Sequence, residues 1–283
     1  MQLREVIRLA AQRLREAGIF TSVLDAEVLL AHVLGVQRTF LYSHPDYRLT
    51  EEEKWRYEEL VNRRLGHEPI AYLVGEKEFW SRTFKVDGRV LIPRPETERL
   101  VEAALSLARG FSPQRLKIID VGTGSGAIGI TMAAELEKVW VLATDLSPEA
   151  LCVARENAQR LGVREKIDFL LSSGLSAISG VFHLILSNPP YIPTGELANL
   201  PAGVRNYEPL MALDGGEDGV KLHEALIVES ASRLMVGGWL LLEVGEKIAG
   251  LVGKKAWDSG NYGEVKVLHD YLGEARVVAM RKV

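Results

Sequence analysis

The sequence predicts an α/β protein in which a helical module precedes a mostly parallel β-sheet that is wrapped by helices. Residues 1–75 carry apolar positions at helical spacing and no strand pattern. From residue 117 onward, apolar runs of strand length alternate with helical segments, an order typical of parallel sheets. At 283 residues, with 47% hydrophobic and 25% charged residues, the chain is long enough for two domains that each bury a core.

The helical module is predicted from its periodicity and its end signals. Leu3 begins a run of apolar residues at helical spacing, and Ser22 stands where it would cap a second helix. Residues 50–53, Thr-Glu-Glu-Glu, form the capping-box pattern of a further helix. These helices are predicted to end at glycines: Gly18, Gly35 and Gly66. Because residues 1–75 hold 10 Lys+Arg against 11 Asp+Glu, we predict a bundle with solvated charged faces, which leaves recognition of a protein partner by shape open.

A short β-hairpin is predicted to connect this module to the sheet. Phe79 and Phe84 fall in its first strand and Val90 in its second, with Asp87-Gly88 as the turn between them. The predicted domain boundaries are therefore residues 1–75 for the helical domain, 76–91 for the hairpin linker and 92–283 for the catalytic domain.

The elements of the larger domain follow from the alternation of strand and helix patterns. Strands are predicted at residues 117–121, 139–143, 167–171, 182–186 and 239–244, with two more in the tail from 264 to 280. Helices are predicted at residues 127–136, 148–161 and 222–234. In open α/β sheets ligands bind at the carboxyl ends of the strands, so we expect the site there.

The first strand runs directly into a loop of small residues that opens a helix. Its residues are Asp120, Val121, Gly122, Thr123, Gly124, Ser125 and Gly126. Glycines let a ligand approach the backbone, and the helix N-terminus offers free N–H groups. Gly122, Gly124 and Ala127 satisfy the dinucleotide pattern G-x-G-x-x-G/A, and Asp145 lies 21 residues after Gly124, so a dinucleotide is one candidate ligand.

Asp120 favours S-adenosylmethionine over a dinucleotide. A carboxylate two residues before the first glycine would lie awkwardly beside a dianionic pyrophosphate, whereas it suits the ammonium group of S-adenosylmethionine. Asp145, at the end of the second strand, would accept hydrogen bonds from ribose hydroxyls with either ligand. Structural roles stay open for both acids: Asp120 as a brace for loop amides, and Asp145 as a cap for the helix that begins at Ser147-Pro148.

Asn188-Pro189-Pro190-Tyr191 follows the strand at 182–186 and predicts the reaction. Two prolines stiffen the backbone and hold the preceding side chain in place. The Asn188 oxygen and the Pro189 carbonyl can accept both N–H groups of a planar nitrogen, either an amide or a base amine, and Tyr191 can stack on the flat group. Such nitrogens are poor nucleophiles, so aiming the nitrogen at a methyl carbon is the expected contribution of this loop.

Four sequence blocks resemble the peptide chain release factor N5-glutamine methyltransferases, the bacterial PrmC/HemK family. They are residues 91–98 (LIPRPETE), 120–126 (DVGTGSG), 188–191 (NPPY) and 207–216 (YEPLMALDGG). The Asn-Pro-Pro-Tyr block is shared with nucleic-acid amino-methyltransferases, whereas the Pro-Arg-Pro-Glu-Thr-Glu block is much more specific. With the helical front domain, the resemblance covers nearly the whole chain.

The resemblance implies a methyltransferase that depends on S-adenosylmethionine and has a Rossmann-like, seven-stranded sheet behind an N-terminal helical bundle. It implies methyl transfer to the glutamine amide nitrogen in the Gly-Gly-Gln motif of class I release factors, which would be its protein partners in the cytoplasm. The implied cofactor residues are Asp120, Gly122, Thr123, Gly124, Ser125, Gly126, Asp145, Ser173, Gly174 and Asn188. The implied catalytic residues are Asn188, Pro189 and Tyr191, and Pro190 joins them in holding the substrate. Thr97 and Glu98 would lie near the mouth of the cofactor pocket.

The chain departs from the family pattern after the third strand. The family often carries an acid and then an aromatic residue near the adenine, whereas this chain has Ser173 and Gly174. Ser173 can still hydrogen-bond the adenine amino group, but an aromatic ring is missing at Gly174. The departure bears on cofactor affinity and leaves the reaction unchanged.

Composition weighs against the rival functions. An N6-adenine or N4-cytosine nucleic-acid methyltransferase would use the same Asn188 block, but the net charge of −4 disfavours a protein that binds nucleic acid by charge. A nicotinamide oxidoreductase would leave Asp120 and the Asn188 block without a role. One cysteine, and histidines without ligand spacing, predict no metal site. Charges interleaved through the first 16 residues exclude a signal peptide or a membrane span there and favour the cytoplasm.

Overall fold

The computed structural model describes residues 2–112 and 114–283, and it divides into two compact units. The first unit holds the chain up to Glu76 together with Pro201–Tyr207, and the second holds Lys77–Leu200 and Glu208–Val283. The helices are α1 (Leu3–Glu16), α2 (Ser22–Leu34), α3 (Arg38–Ser43), α4 (Glu51–Leu65), α5 (Ile70–Val74), α6 (Glu98–Ala108), α7 (Ala127–Glu135), α8 (Pro148–Arg160), α9 (Ala202–Tyr207), α10 (Lys221–Ser230) and α11 (Glu246–Asp258). The strands are β1 (Glu76–Phe79), β2 (Arg82–Lys85), β3 (Leu116–Val121), β4 (Val139–Asp145), β5 (Ile167–Leu171), β6 (Phe182–Ser187), β7 (Leu234–Glu243), β8 (Tyr262–His269) and β9 (Ala275–Lys282).

The helical unit follows the local signals of its sequence. Thr50 and Glu53 form the predicted capping box at the start of α4, and Gly35 ends α2 in a left-handed conformation. The cap of α2 is Thr21, so the prediction of Ser22 as the cap is wrong; Ser22 is instead buried in the first turn. This unit also includes α9, whose Tyr207 hydroxyl donates to the Gly66 carbonyl at 2.8 Å.

The hairpin exists, but its turn is not where the sequence placed it. Strands β1 and β2 are joined by Trp80 and Ser81, which both have positive φ, at 51° and 55°. The Asp-Gly prediction is therefore wrong, because Asp87 binds the guanidinium of Arg89 and accepts its backbone N–H in a separate turn. The Trp80 backbone N–H donates to the Glu98 carboxylate at 2.8 Å, which helps to hold the strained connection.

The second unit contains the predicted seven-stranded sheet, in the order β5-β4-β3-β6-β7-β9-β8. Strands β3 to β7 pair in parallel, and β9 is antiparallel to both β7 and β8. Alternate residues enter two cores: Ile118 packs in the cluster that includes α6 and α7, and Ile119 packs in the cluster that includes α10 and α11. The predicted helix at 222–234 ends at Ser230, and Leu234 begins β7.

The register brings the ends of four strands to one edge. Val121 of β3 is opposite Thr144 of β4 and Ser187 of β6, and Ser187 is in turn opposite Leu242 of β7. The strand order reverses at β3, because β4 and β5 lie on one side of it and β6 and β7 on the other. In such sheets a crevice opens at this switch point, between the loops that follow β3 and β6. No helix among residues 2–112 and 114–283 is both long and apolar enough to span a lipid bilayer.

Candidate active site

A cavity of about 200 Å³ lies at this edge, entirely within the second unit. The predicted residues that line it are Gly122, Gly124, Asp145, Ser173, Gly174, Asn188, Pro189 and Pro190. The loop after β3 and the loop after β6 therefore face one space. A molecule seated against the glycines would lie beside the Asn188 amide.

The glycines of the loop have different roles. Gly122 and Gly124 have positive φ, and a Cβ on either would point into open space at the cavity. At Gly126 the φ of 86° favours glycine, and a Cβ there would also lie 2.4 Å from Ile130 Cδ1 of α7. The sequence placed all three in the cofactor site, but only the first two line it.

Asp120 is fully buried and does not line the cavity. Its Oδ2 accepts hydrogen bonds from the Thr123 hydroxyl at 2.6 Å and from the Gly129 N–H at 2.9 Å. Burial raises the pKa of this carboxyl to about 6, against the effect of both donors. Its Oδ1 is buried and has no hydrogen-bond partner within the described parts of the chain. Asp120 therefore braces the loop as the sequence allowed, but through the Thr123 hydroxyl and the N–H of Gly129 in α7 and not through loop amides.

Two other loop residues also support the site from behind. Thr123 is buried and bonds Asp120. Ser125 is buried, and its carbonyl accepts from the Asn157 amide at 2.9 Å. Neither side chain lines the cavity, so within this loop the surface is formed by Val121, Gly122 and Gly124.

Asp145 lines the cavity and also fixes the glycine loop. Its Oδ2 accepts from the Gly124 N–H at 2.8 Å, and its Oδ1 accepts from the Ser147 N–H at 2.9 Å. The cap of α8 is Ser147, whose hydroxyl accepts from the Ala150 N–H, and not Asp145. Each carboxylate oxygen keeps a further lone pair that can accept from a ligand hydroxyl.

The backbone conformation and a neighbouring side chain explain why position 174 is a glycine. Gly174 has a φ of 61°, and a Cβ there would lie 2.7 Å from Glu229 Oε2. That carboxylate accepts from the Leu175 N–H at 2.5 Å, so it is held in place. Glu229 therefore occupies the space that a larger residue at Gly174 would need.

Asn188 is half-buried at the end of β6, and its Nδ2 donates to Thr97 Oγ1 at 3.2 Å. This donation leaves its Oδ1 as the atom available to a ligand. Pro189 is buried next to it. Proline has no backbone N–H, but its carbonyl oxygen can still accept a hydrogen bond. Tyr191 does not line the cavity; burial raises the pKa of its hydroxyl to about 12, so the phenol is neutral.

The Asn188 loop is buttressed by a segment whose packing the sequence did not reveal. In residues 214–219 the Gly215 N–H donates to the Ile192 carbonyl at 2.8 Å. A Cβ on Gly215 would lie 2.8 Å from Tyr191 Cα, and one on Gly219 would lie 2.6 Å from the Tyr191 carbonyl oxygen. These glycines are needed for close backbone packing, and clustered glycines were the available signal.

Two of the blocks that carry the family resemblance meet in the fold. Arg94 donates to Glu208 at 2.5 Å, and the second oxygen of Glu208 accepts from the Ile92 N–H at 3.3 Å. The Glu208 side chain is only 1% exposed, so the carboxylate of this ion pair is shielded from solvent. Neither Thr97 nor Glu98, expected at the pocket mouth, lines the cavity.

Two family models match this chain, each over a different stretch of the sequence. A model described as methyltransferase small domain matches residues 98–199, and one described as PrmC N-terminal domain matches residues 5–75. A methyltransferase from Pyrococcus furiosus has the same fold, with a TM-score of 0.53 at 20% identity over 78% of this chain and 98% of that one. The catalytic domain of hMettl16, in complex with a MAT2A 3'UTR hairpin, gives 0.58 at 16% identity over 70% and 74%. Fold and site together define a methyltransferase.

Full-length relatives give the family. The release factor glutamine methyltransferase of Koribacter versatilis is 40% identical over 100% of this chain and 99% of its own length. That of Deinococcus radiodurans is 39% identical over 100% and 99%. The chain belongs to the release factor glutamine methyltransferase family, as the four sequence blocks indicated.

Proposed function

We propose that this enzyme transfers the methyl group of S-adenosylmethionine to the side-chain amide nitrogen of the glutamine in the Gly-Gly-Gln motif of class I release factors, in the cytoplasm. The observation that carries the proposal is the single cavity shared by the open glycines Gly122 and Gly124, the acid Asp145 and the amide of Asn188. The family membership supplies the class of acceptor.

The residues present fit S-adenosylmethionine. Gly122 and Gly124 leave a cradle that side chains would fill, and Asp145 offers free lone pairs toward the cavity for ribose hydroxyls. Asp120 would act from behind, by shaping the loop through Thr123 and Gly129. When bound, the cofactor supplies an electrophilic methyl group.

The Asn188 loop would hold the acceptor amide. Asn188 Oδ1 and the Pro189 carbonyl accept the two N–H groups of the glutamine, which fixes the plane of the nitrogen and aims its weak lone pair. The N–C bond would form as the methyl–sulfur bond breaks. The amide proton becomes acidic only after this transfer and would then leave to water, so no base is needed before attack. Tyr191 would flank the amide from the buttressed side of the loop.

The helical residues 1–75 would recognise the rest of the release factor, with residues 76–91 as linker and 92–283 as catalytic domain. A Gly-Gly-Gln segment offers almost no side chain to bind, and ordering it costs conformational entropy. Contacts elsewhere on the folded partner must therefore supply affinity and register.

The test is transfer of tritium from labelled S-adenosylmethionine to four acceptors: an intact class I release factor, the same factor with its motif Gln→Ala, a Gly-Gly-Gln peptide, and duplex or single-stranded nucleic acid. We expect efficient labelling of the intact factor alone and loss of label with Gln→Ala. Efficient labelling of adenine or cytosine, with none in the release factor, would replace the proposal with a nucleic-acid methyltransferase. Equal labelling of the peptide and the intact factor would contradict the proposal that residues 1–75 recognise the rest of the release factor.

A further inference from the structure

A half-buried acid of α10, Glu229, lies against the segment that follows β5 and has no part in the mechanism above. Its Oε2 accepts from the Leu175 N–H at 2.5 Å. A Cβ built on Gly174 would lie 2.7 Å from Oε2 and 3.4 Å from Oε1, so both carboxylate oxygens lie beside this glycine. Gly174 itself lines the cavity. The carboxylate is therefore adjacent to a residue that forms part of the cavity wall.

The same face of α10 borders the cavity at its other end. Leu222 lines the cavity and precedes Glu229 by seven residues in this helix. Seven residues are close to two turns of an α-helix, so the two side chains leave the helix on the same side, about 10 Å apart along its axis. Glu229 thus belongs to the face of α10 that supplies a lining residue.

The protein does not fully satisfy the Glu229 carboxylate. In the parts of the chain that the structure describes, no basic side chain forms an ion pair with it, and its Oε1 accepts no hydrogen bond. Glu224, which is also half-buried in α10, is by contrast paired with Lys255 of α11. A carboxylate that is partly withdrawn from water needs donors or a positive charge. Oε1 can therefore accept from a donor on a ligand.

The strand order indicates which part of the cofactor would reach Glu229. Strands β3, β4 and β5 are neighbours, and the Ser172 N–H after β5 donates to the Asp145 carbonyl at 3.0 Å. With the methyl group between Gly122 and Asn188 and the ribose at Asp145, the adenine would lie on the β5 side, against Gly174. The hydrogen-bond donor of adenine is its 6-amino group, and an ionised carboxylate can only accept. The two groups are complementary.

We propose that Glu229 recognises the adenine 6-amino group of S-adenosylmethionine, accepting through Oε1 while Oε2 stays on the Leu175 N–H. The inference rests on the proposed function, because it concerns the cofactor named there. It also explains the departure at Ser173-Gly174: an acid from α10 takes the place of an acid in the loop after β5. Glycine at 174 is then required, because a side chain there would displace the carboxylate.

The test compares the binding of two ligands by calorimetry. One is S-adenosylhomocysteine, the demethylated form of the cofactor, and the other is S-inosylhomocysteine, which carries an oxygen in place of the 6-amino group. The proteins are the wild type, Glu229→Gln, Ser173→Ala and the control Glu224→Gln, which makes the same chemical change in the same helix away from Gly174. The melting temperature of each variant is measured alongside.

The wild type should bind the adenosine ligand about 10- to 100-fold more tightly, because a hydrogen bond to a charged group is worth about this much in affinity. Glu229→Gln should lose this preference. Its side-chain oxygen must stay on the Leu175 N–H, so its NH₂ replaces Oε1 and meets the amino group as a second donor, whereas it can donate to the oxygen of the inosine ligand. Glu224→Gln should keep the preference.

An unchanged preference in a folded Glu229→Gln overturns the inference, and so does a wild type that binds both ligands equally. A preference that is lost in Ser173→Ala and kept in Glu229→Gln also overturns it, because the Ser173 hydroxyl would then recognise the amino group alone. If Glu229→Gln does not fold, Glu229→Asp replaces it: the shorter side chain withdraws the carboxylate, so a retained preference overturns the inference and a reduced one supports it.

Tritium transfer to the release factor is measured with the same wild-type preparation, so that two failures can be told apart. A wild type that neither binds S-adenosylhomocysteine nor labels the release factor contradicts the proposed function. A wild type that labels the release factor but binds the adenosine and inosine ligands equally contradicts only the role of Glu229.

Discussion

Asp120 near the end of β3 and Glu243 at the end of β7 are both fully buried acids with raised pKa values, about 6 and about 7 respectively. Their partners differ. Asp120 bonds the hydroxyl of the loop and the backbone N–H of the helix that follow it, whereas the Glu243 carboxylate lies near Thr97, whose hydroxyl accepts from Asn188 Nδ2 at 3.2 Å. Asp120 therefore shapes the backbone cradle on the β3–β4 side, whereas the Asn188 amide lies on the β6–β7 side. Cofactor affinity and turnover should therefore respond to different residues.

The largest effect should come from Asn188→Ala on the β6–β7 side. Removing a group that aims the reacting nitrogen commonly costs on the order of 10²-fold or more in rate. Cofactor affinity should change little, because Gly122, Gly124 and Asp145 remain. Single-turnover transfer and calorimetry measure the two quantities, with exposed Asn199→Ala as the control. Near-normal turnover of Asn188→Ala would contradict the assignment of the Asn188 loop to the active site.

On the β3–β4 side, Asp145→Ala should weaken S-adenosylmethionine binding by about one to two decades, because a charge-assisted acceptor is worth roughly 1.5–3 kcal/mol. The turnover of the saturated enzyme should fall much less. Calorimetry tests this against Asp168→Ala, which removes an acid on neighbouring β5 that accepts from Trp140 Nε1 and does not line the cavity. Unchanged affinity in a folded Asp145→Ala would leave this acid as a brace for Gly124 alone.

The smallest expected effect is on pH dependence, and it sharpens the comparison. Burial raises the pKa of Glu243 to about 7; Glu96 adds to the rise, while Thr97, Arg94 and Arg276 oppose it, and neutral Tyr191 lies nearby. Because burial disfavours the charged form, ionised Glu243 destabilises the folded protein above pH 7, and this penalty is removed as the pH falls through that value toward the ordinary pKa of 4.5. We expect the melting temperature of the wild type to rise from pH 8 to pH 5 relative to that of Glu243→Gln, measured by calorimetry.

The matched comparison on the β3–β4 side is Asp120→Asn, where the same relief should appear at lower pH, near the pKa of about 6 that burial gives Asp120. Identical pH dependence in the wild type and in both variants would contradict the burial cost assigned to the two acids.

Much of this protein was predictable from its sequence because the signals are local. Periodicity located α1, β3, α7 and β6, and the residues around Thr50 sufficed for a capping box. The glycine loop and the Asn188 block follow their strands directly, so a parallel sheet places both at the carboxyl edge. Local chemistry also identified the alternative roles of Asp120, although it could not choose between them.

The tertiary structure decided the contacts between residues that are far apart in the chain. Arg94 and Glu208 are separated by 114 residues, and Thr97 and Asn188 by 91. The hairpin turn falls at Trp80-Ser81, where Glu98 of another element binds the backbone, and not at the locally favoured Asp87-Gly88. Glu243 becomes a neighbour of Asn188 only through the β6–β7 register. Register and long-range pairing are set by how both faces of the sheet bury their side chains together, so no short segment encodes them.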